Sequence, residues 1–332
     1  MSLVNRSCPV KKEERKHLEQ IMRRDIMYIQ GVQMEEAVEI VSHCFFRDEE
    51  MQVMEYEIHS PEEFRDAYMK FIPYWNFERC INELHENTGK ESFYYYGKCA
   101  VCNSPQPLLV DYQNAEHENG RRKINWRERL ICPNCGCNSR QRFVFHKILE
   151  NYVQGDQILL YEQNTEIYRS AVRDIKTVTG FEYTGVGNKE SEIAGISCED
   201  ICELSFGDQA FSMVVANDVF ELTPEYQKAF SEAYRVLQPG GKLIFTVPFD
   251  GNSLETVVRA EMGDNGLVAT TEEWYYESAI PGVGPMIVCQ IFGWDILETL
   301  RQCGFNDVCG KVYYGLSDGY LGYLPLYFEA RK

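Results

Sequence analysis

Cys99-Ala-Val-Cys102 and Cys132-Pro-Asn-Cys135 each set two thiols in one short turn, with 29 residues between the pairs. Two sulfurs from each turn can meet a single ion, and four thiolates make the closed tetrahedral set that suits zinc. A closed set leaves no position for substrate, so its work is structural, and metal binding supplies much of the folding free energy of a small module. The interval is longer than the common spacing of roughly 15–20 residues, which implies a longer excursion between the two turns. Cys137 is close enough to substitute but is expected to be a spare. The plainer alternative is a set of unpaired thiols.

The surrounding chain favours metal over disulfides. Its 332 residues hold 13 cysteines, and the polar, charged stretch Met1–Lys16 shows no apolar signal region, so a cytoplasmic protein is expected. No stretch approaches the roughly 18–20 apolar residues of a membrane span, so no membrane association is expected. The formal net charge is −18, and residues 151–332 carry 12 Lys+Arg against 27 Asp+Glu. Such an acidic half repels polyanions, which disfavours nucleic acid as substrate. Between Cys99 and Arg142 the balance reverses, with seven basic residues against four acids. That patch is either an RNA grip or, more blandly, a solvated face or a dock for the acidic half.

Three regions are expected to position this chemistry: a helical N-terminal region over 1–96, the cysteine module over 97–150, and a larger domain over 151–332 with an insertion at 250–292. Apolar residues at helical spacing predict a helix over Lys11–Ile29. Ser60-Pro61-Glu62-Glu63 predicts another helix start, capped by Ser60 with Glu63 returning a bond, that buries Phe64, Tyr68 and Phe71. His17, His43, His59 and His85 are not spaced as ligands. Beyond residue 150, strands are expected at Ile158–Tyr161, Gly180–Val186, Phe211–Ala216 and Lys242–Val247, with helices between them. One of these helices should be capped by Thr223, begin at Pro224 and end at Pro239-Gly240-Gly241. Alternation of strand and helix implies an α/β, doubly wound, largely parallel sheet covered on both faces.

Arg235-Val-Leu-Gln-Pro-Gly-Gly-Lys-Leu243, taken with Leu204-Ser-Phe and the strand ending Ala216-Asn217-Asp218, resembles the class I S-adenosylmethionine-dependent methyltransferase family over about half of the chain. The cysteine module, Thr246-Val-Pro-Phe249 and Phe292-Gly-Trp-Asp-Ile-Leu297 resemble a subgroup linked to sugar or polysaccharide biosynthesis. The resemblance implies a Rossmann-like sheet and S-adenosylmethionine as cofactor. It implies Glu182 on the cofactor ribose, where a carboxylate can accept from two hydroxyls. It also implies Asp200 and Ile201 at the adenine, and Asn217 and Asp218 lining the cleft beside the transferring methyl group. Each of these acids could instead be a helix cap or a solvated turn.

Two departures from the family stand out. The first strand runs into Tyr161-Glu-Gln-Asn-Thr-Glu166 with no glycine, so Glu162, Gln163 and Thr165 are expected to hold the methionine end of the cofactor through side chains, Thr165 also being placed to cap the next helix. No histidine follows His146, so any general base must be a carboxylate, a tyrosine or the acceptor's own amine. The aromatic insertion, with Trp274-Tyr275-Tyr276, is expected to be a lid or acceptor pocket, or else a structural excursion. Three functions remain open: methyl transfer to a small molecule such as a sugar, a silent methyltransferase-like binding protein, and an RNA methyltransferase that grips RNA with the cysteine module.

Overall fold

The computed structural model describes residues 53–332 apart from 87–88, 119, 186–191, 265 and 323–324; the helix expected over Lys11–Ile29 lies outside them. The chain divides into two compact units. Of the described residues, the first groups 53–55 and 69–143 with 313–325, and the second groups 56–68, 144–312 and 326–332.

The second unit holds most of a seven-stranded sheet. Its strands are β1 (Met54–Ile58), β2 (Ile158–Leu160), β3 (Val178–Gly180), β4 (Phe211–Asn217), β5 (Leu237–Thr246), β6 (Val308–Tyr314) and β7 (Leu326–Arg331), in the order β1-β6-β7-β5-β4-β2-β3. Strands β3, β2, β4 and β5 run parallel, whereas β7 runs antiparallel to both β5 and β6. Ile158, Leu159 and Leu160 are wholly buried, as are Val214, Val215 and Ala216. That is the continuous apolar run a parallel sheet needs when both faces are covered. This is a Rossmann-like α/β sheet, as expected.

Local chemistry explains the helices and corrects some of their bounds. The helix over Pro61–Glu86 starts as expected. The Glu63 amide donates to Ser60 Oγ at 3.2 Å, while the Glu63 carboxylate accepts from the His59 amide at 2.7 Å, one residue earlier than a standard capping box places it. Ala67 and Phe71 are buried, and Phe64 and Tyr68 half-buried. The helix expected from Pro224 begins at Tyr226 and ends at Val236. Thr223 Oγ1 instead accepts from the Glu225 amide at 3.2 Å, which closes a turn after a short 3₁₀ segment, Phe220–Leu222, and delays the helix. Pro239-Gly240-Gly241 lies within β5 and not beyond the helix, because Leu237 is already extended. The strand expected over Gly180–Val186 stops at Gly180, and beyond it a single bridge joins Glu182 to Cys198.

In the first unit, Ser92–Cys99 pairs antiparallel with Ser104–Asp111. Arg142 is fully buried there, and its guanidinium donates to the carbonyls of Lys98, Asp318 and Gly319. Phe143 stacks on Tyr313 at 3.5 Å between ring centroids. A buried guanidinium is tolerated where carbonyls take its donors, so Arg142 ties 313–325 to the cysteine hairpin.

Candidate active site and cysteine cluster

The strand ends β2, β3 and β4 bring most of the expected cofactor residues to one edge of the sheet. Tyr161 follows β2 and is buried, and the chain then turns through Glu162, Gln163 and Asn164 into the helix Glu166–Asp174. Thr165 caps that helix, its Oγ1 accepting from the Tyr168 amide at 3.2 Å. The missing glycines are replaced by a carboxylate. Glu182 Oε1 accepts from the backbone amides of Gln163 at 2.7 Å and Asn164 at 2.6 Å. In a glycine-rich loop those amides would be open to a ligand; here they order the loop on a side chain from the next strand end. Burial raises the Glu182 pKa and the two amide bonds pull it back only in part.

The other expected side chains are spoken for by neighbours within this site. Gln163 Oε1 accepts from the Ser197 amide at 2.6 Å, which fixes the loop against the segment after β3. Glu162 is buried and accepts from Asn217 Nδ2, which ties the end of β2 to the end of β4. Asn217 Oδ1 is buried with no hydrogen-bond partner. Asp200 Oδ1 accepts from the Cys202 amide at 2.9 Å, and Ile201 is wholly buried. Asp218 has φ +53°, a left-handed conformation at the strand end in which Asp is better tolerated than most residues. Its amide donates to the Thr246 carbonyl at 3.0 Å.

Strand β3 must pass close beneath this loop. A Cβ at Gly180 would stand 2.4 Å from the Tyr168 ring and 2.6 Å from the Glu162 carbonyl. Gly180→Ala is therefore expected to cost about 1–3 kcal/mol through overpacking. Chemical denaturation measures it, and an unchanged midpoint would mean that the loop gives way freely.

Arg235 explains the Leu204-Ser-Phe motif. Its guanidinium donates to the carbonyls of Leu204 at 2.9 Å and Phe206 at 2.8 Å and pairs with Glu232 at 2.8 Å, while Glu232 accepts from the Leu204 amide at 2.8 Å. The helix before β5 thereby holds the segment that follows Asp200.

Asn164, which sequence reasoning passed over, links this loop to the insertion. Its Nδ2 donates to the Ala279 carbonyl at 2.6 Å. Farther along the insertion, Gln290 Nε2 donates to the carbonyls of Phe220 at 2.9 Å and Thr223 at 3.0 Å, and the Cys289 amide to Glu221 at 2.7 Å. The insertion is thus fastened both to the first loop and to the turn after β4. Trp274 packs edge-on against Tyr276 at 5.7 Å and stays 39% exposed.

Residues 164–245 match the methyltransferase domain family. That span runs from the first loop into β5 and so takes in most of the candidate site. Two arsenite methyltransferases are similar over shorter stretches: one from Aquipseudomonas alcaligenes, 35% identical over 19% of this chain and 18% of that protein, and one from Halobacterium salinarum, 30% identical over 28% and 27%. The chain thus spans about a fifth to a quarter of the length of these curated relatives. Among solved structures, the complex of the Haloferax volcanii Trm112 methyltransferase activator with a methyltransferase matches 57% of this chain and 88% of that one, at 15% identity and a TM-score of 0.38.

The cysteine cluster lies in the first unit. Cys99 and Cys135 sulfurs are 3.7 Å apart, Cys102 and Cys132 also 3.7 Å, and all four lie within 4.8 Å of one another. Thiolates 2.3 Å from one tetrahedral ion stand about 3.8 Å apart, so the spacing fits zinc. The two turns share a backbone device: the residue after each second cysteine, Asn103 at φ +50° and Gly136 at φ +74°, is left-handed. Cys137 lies outside the four-sulfur group. Of the seven basic residues nearby, Arg122 pairs with Glu91, Arg129 with Asp111, and Arg127 and Arg140 with Glu128.

Proposed function

We propose that this chain is an S-adenosylmethionine-dependent methyltransferase acting on a small-molecule acceptor such as a sugar, with zinc as a structural ion at Cys99, Cys102, Cys132 and Cys135. The observation that carries the reading is the convergence at the strand ends. A buried carboxylate follows β3, an unsatisfied buried amide oxygen ends β4, and a left-handed Asp218 follows it, within a span that matches a methyltransferase domain. Glu182 holds the cofactor ribose, Asp200 and Ile201 border the adenine, and Glu162 and Asn217 border the methionine end. Gln163 and Thr165 act by shaping the loop, since their side chains are bonded to backbone amides.

Bound cofactor supplies a methyl group on a sulfonium, a good leaving group that needs no metal. The chain's own task is then to orient the acceptor and exclude water. Asp218 orients an acceptor hydroxyl or ammonium, and the aromatic insertion covers it, with Trp274 offering a ring face to an apolar sugar face. The acidic half suits a neutral or amine-bearing acceptor. An RNA acceptor is disfavoured because four of the module's basic residues are paired with acids of the same unit. A silent binding protein is the reading that the glycine-free loop would favour.

Calorimetric titration with S-adenosylmethionine separates the enzyme from the silent protein, because micromolar binding is expected for the former. Once an acceptor is found by incubating small-molecule extracts with labelled cofactor, Asp218→Asn and Trp274→Ala should each lower turnover at least about ten-fold while cofactor affinity holds. Turnover that persists in both variants would place the acceptor elsewhere.

A further inference from the structure

A second cluster of charge lies on β5, β6 and β7. In the antiparallel pair of β5 and β7, Lys242 stands directly across from Arg331, and Ile244 across from Glu329. In the pair of β6 and β7, Cys309 stands across from Glu329. Because alternate residues share a face, Lys242, Glu329, Arg331 and Lys311 all project from one side of the sheet. Lys147 comes to the same side from the helix over Ser139–Asn151, its ammonium 5.7 Å from the Tyr327 ring centroid. Like charges directly opposed across a strand pair oppose folding.

Two cavities meet at this pair. One of about 240 Å³ is bordered by Lys242, Arg331, Asp156, Ser212 and the Gln238–Gly241 turn. Another of about 380 Å³ is bordered by Lys242, Lys311, Arg331, Arg301 and His59. Carboxylates border the second cavity too: Asp307, 86% exposed, pairs with Arg331 Nε at 4.0 Å, and Glu57 is 56% exposed, so solvent screens both. Only Glu329 is buried among the cations, bound to Lys311 Nζ at 2.6 Å. The Lys242 ammonium donates to the neutral Asn151 Oδ1, with Glu329 acting on it as a nearby charge. Burial first, then Arg331, Lys311 and Lys147, push its pKa down against the pull of Glu329.

We propose that this hollow is an anion site, distinct from the methyl-transfer site, that takes the phosphate group of a small molecule between Lys242 and Arg331. A dianion there would replace the repulsion of the opposed cations by two charge-assisted bonds and would sit in a cavity of the size small ligands occupy. The two cavity linings balance Lys242, Lys311, Arg301 and Arg331 against Glu57, Asp156, Asp307 and Glu329, so selection for a compact anion rests on the close opposition of Lys242 and Arg331 in a concave place and not on net charge.

The test is calorimetric titration of the full chain, without cofactor, with inorganic pyrophosphate and in a second arm with phenyl phosphate. Saturable binding in either arm is expected, and the tighter arm tells whether the natural source is free ion or phosphate ester. Lys242→Gln and Arg331→Gln should each weaken it roughly ten-fold or more, whereas Glu329→Gln should tighten it several-fold. Lys228→Gln, which removes an exposed cation elsewhere, should leave it unchanged. A merely structural Lys242 would not give opposite signs for Lys242→Gln and Glu329→Gln. No binding in either arm, or binding weakened equally by Lys228→Gln, overturns the proposal. Because no cofactor is used, failure here leaves the methyl-transfer reading standing, and failure of cofactor binding leaves this one.

Discussion

Removing the metal from the four-cysteine cluster is expected to unfold the first unit while the sheet of the second persists. Cys99 and Cys132 are wholly buried. Without an ion, four thiols crowd within 4.8 Å of one another, and the hydrogen bond to Cys135 and burial push the Cys99 thiol well above its ordinary pKa. Neutral thiols repel little but bind little. Zinc instead makes them thiolates, and structural zinc contributes apparent free energies of about 10–16 kcal/mol in small modules. Few other forces in this unit approach that figure. Both left-handed positions, Asn103 and Gly136, are held in turns that serve the sulfurs, so losing the ion also removes the reason for their conformation. Native protein should contain one zinc per chain by atomic emission. A strong chelator should then abolish protection of the 92–111 hairpin in hydrogen exchange while Val214–Ala216 stay protected. Cys132→Ser should do the same without chelator. Protein purified without zinc but with the hairpin fully protected would disprove the assignment.

The contrast between the cysteine cluster and the cofactor loop shows what the sequence makes legible. Doubled Cys-x-x-Cys spacing is local, so the four sulfurs could be grouped before any fold was known. The parallel sheet was also readable, because strands with both faces buried are continuous apolar runs such as Ile158–Leu160. The loop was not readable in the same way. Its ordering depends on a carboxylate 18 and 19 residues away in the chain, and nothing local to Gln163 and Asn164 announces that partner. Thr165 was readable as a cap for the opposite reason, since its bond spans three residues. Strand and helix bounds slipped where two local signals competed. Pro224 favours a helix start, but Thr223 closes a turn first. Pro-Gly-Gly favours a turn, but β5 runs through it beside Phe211 and Met213, with a break in register there.

Glu182→Ala is expected to weaken S-adenosylmethionine binding by about 100-fold or more, beyond what one lost ribose contact would give. A hydrogen bond to a charged group is worth about 1.5–3 kcal/mol, which alone is roughly ten-fold or somewhat more. In this chain the same carboxylate also holds the amides of Gln163 and Asn164, and through them the loop proposed to border the methionine end. Without it the loop must be ordered when the cofactor binds, and that entropic cost is subtracted from affinity. Glu182→Gln separates the two parts. Its amide oxygen can still accept from the loop, while the charged acceptor for the ribose is gone, so it should fall between wild type and alanine. The pH dependence follows from burial, which raises the Glu182 pKa. As pH falls through that raised value the carboxylate protonates, so affinity should decline on the acid side in the wild type and stay flat in Glu182→Gln. Stability runs the other way. A raised folded-state pKa contributes stability below the unfolded value, and that contribution is lost as pH rises through the folded one. Calorimetry across a pH series, with denaturation at each pH, reads both. Equal affinities for all three proteins, or an acid decline that survives in Glu182→Gln, would move the ribose contact to another residue.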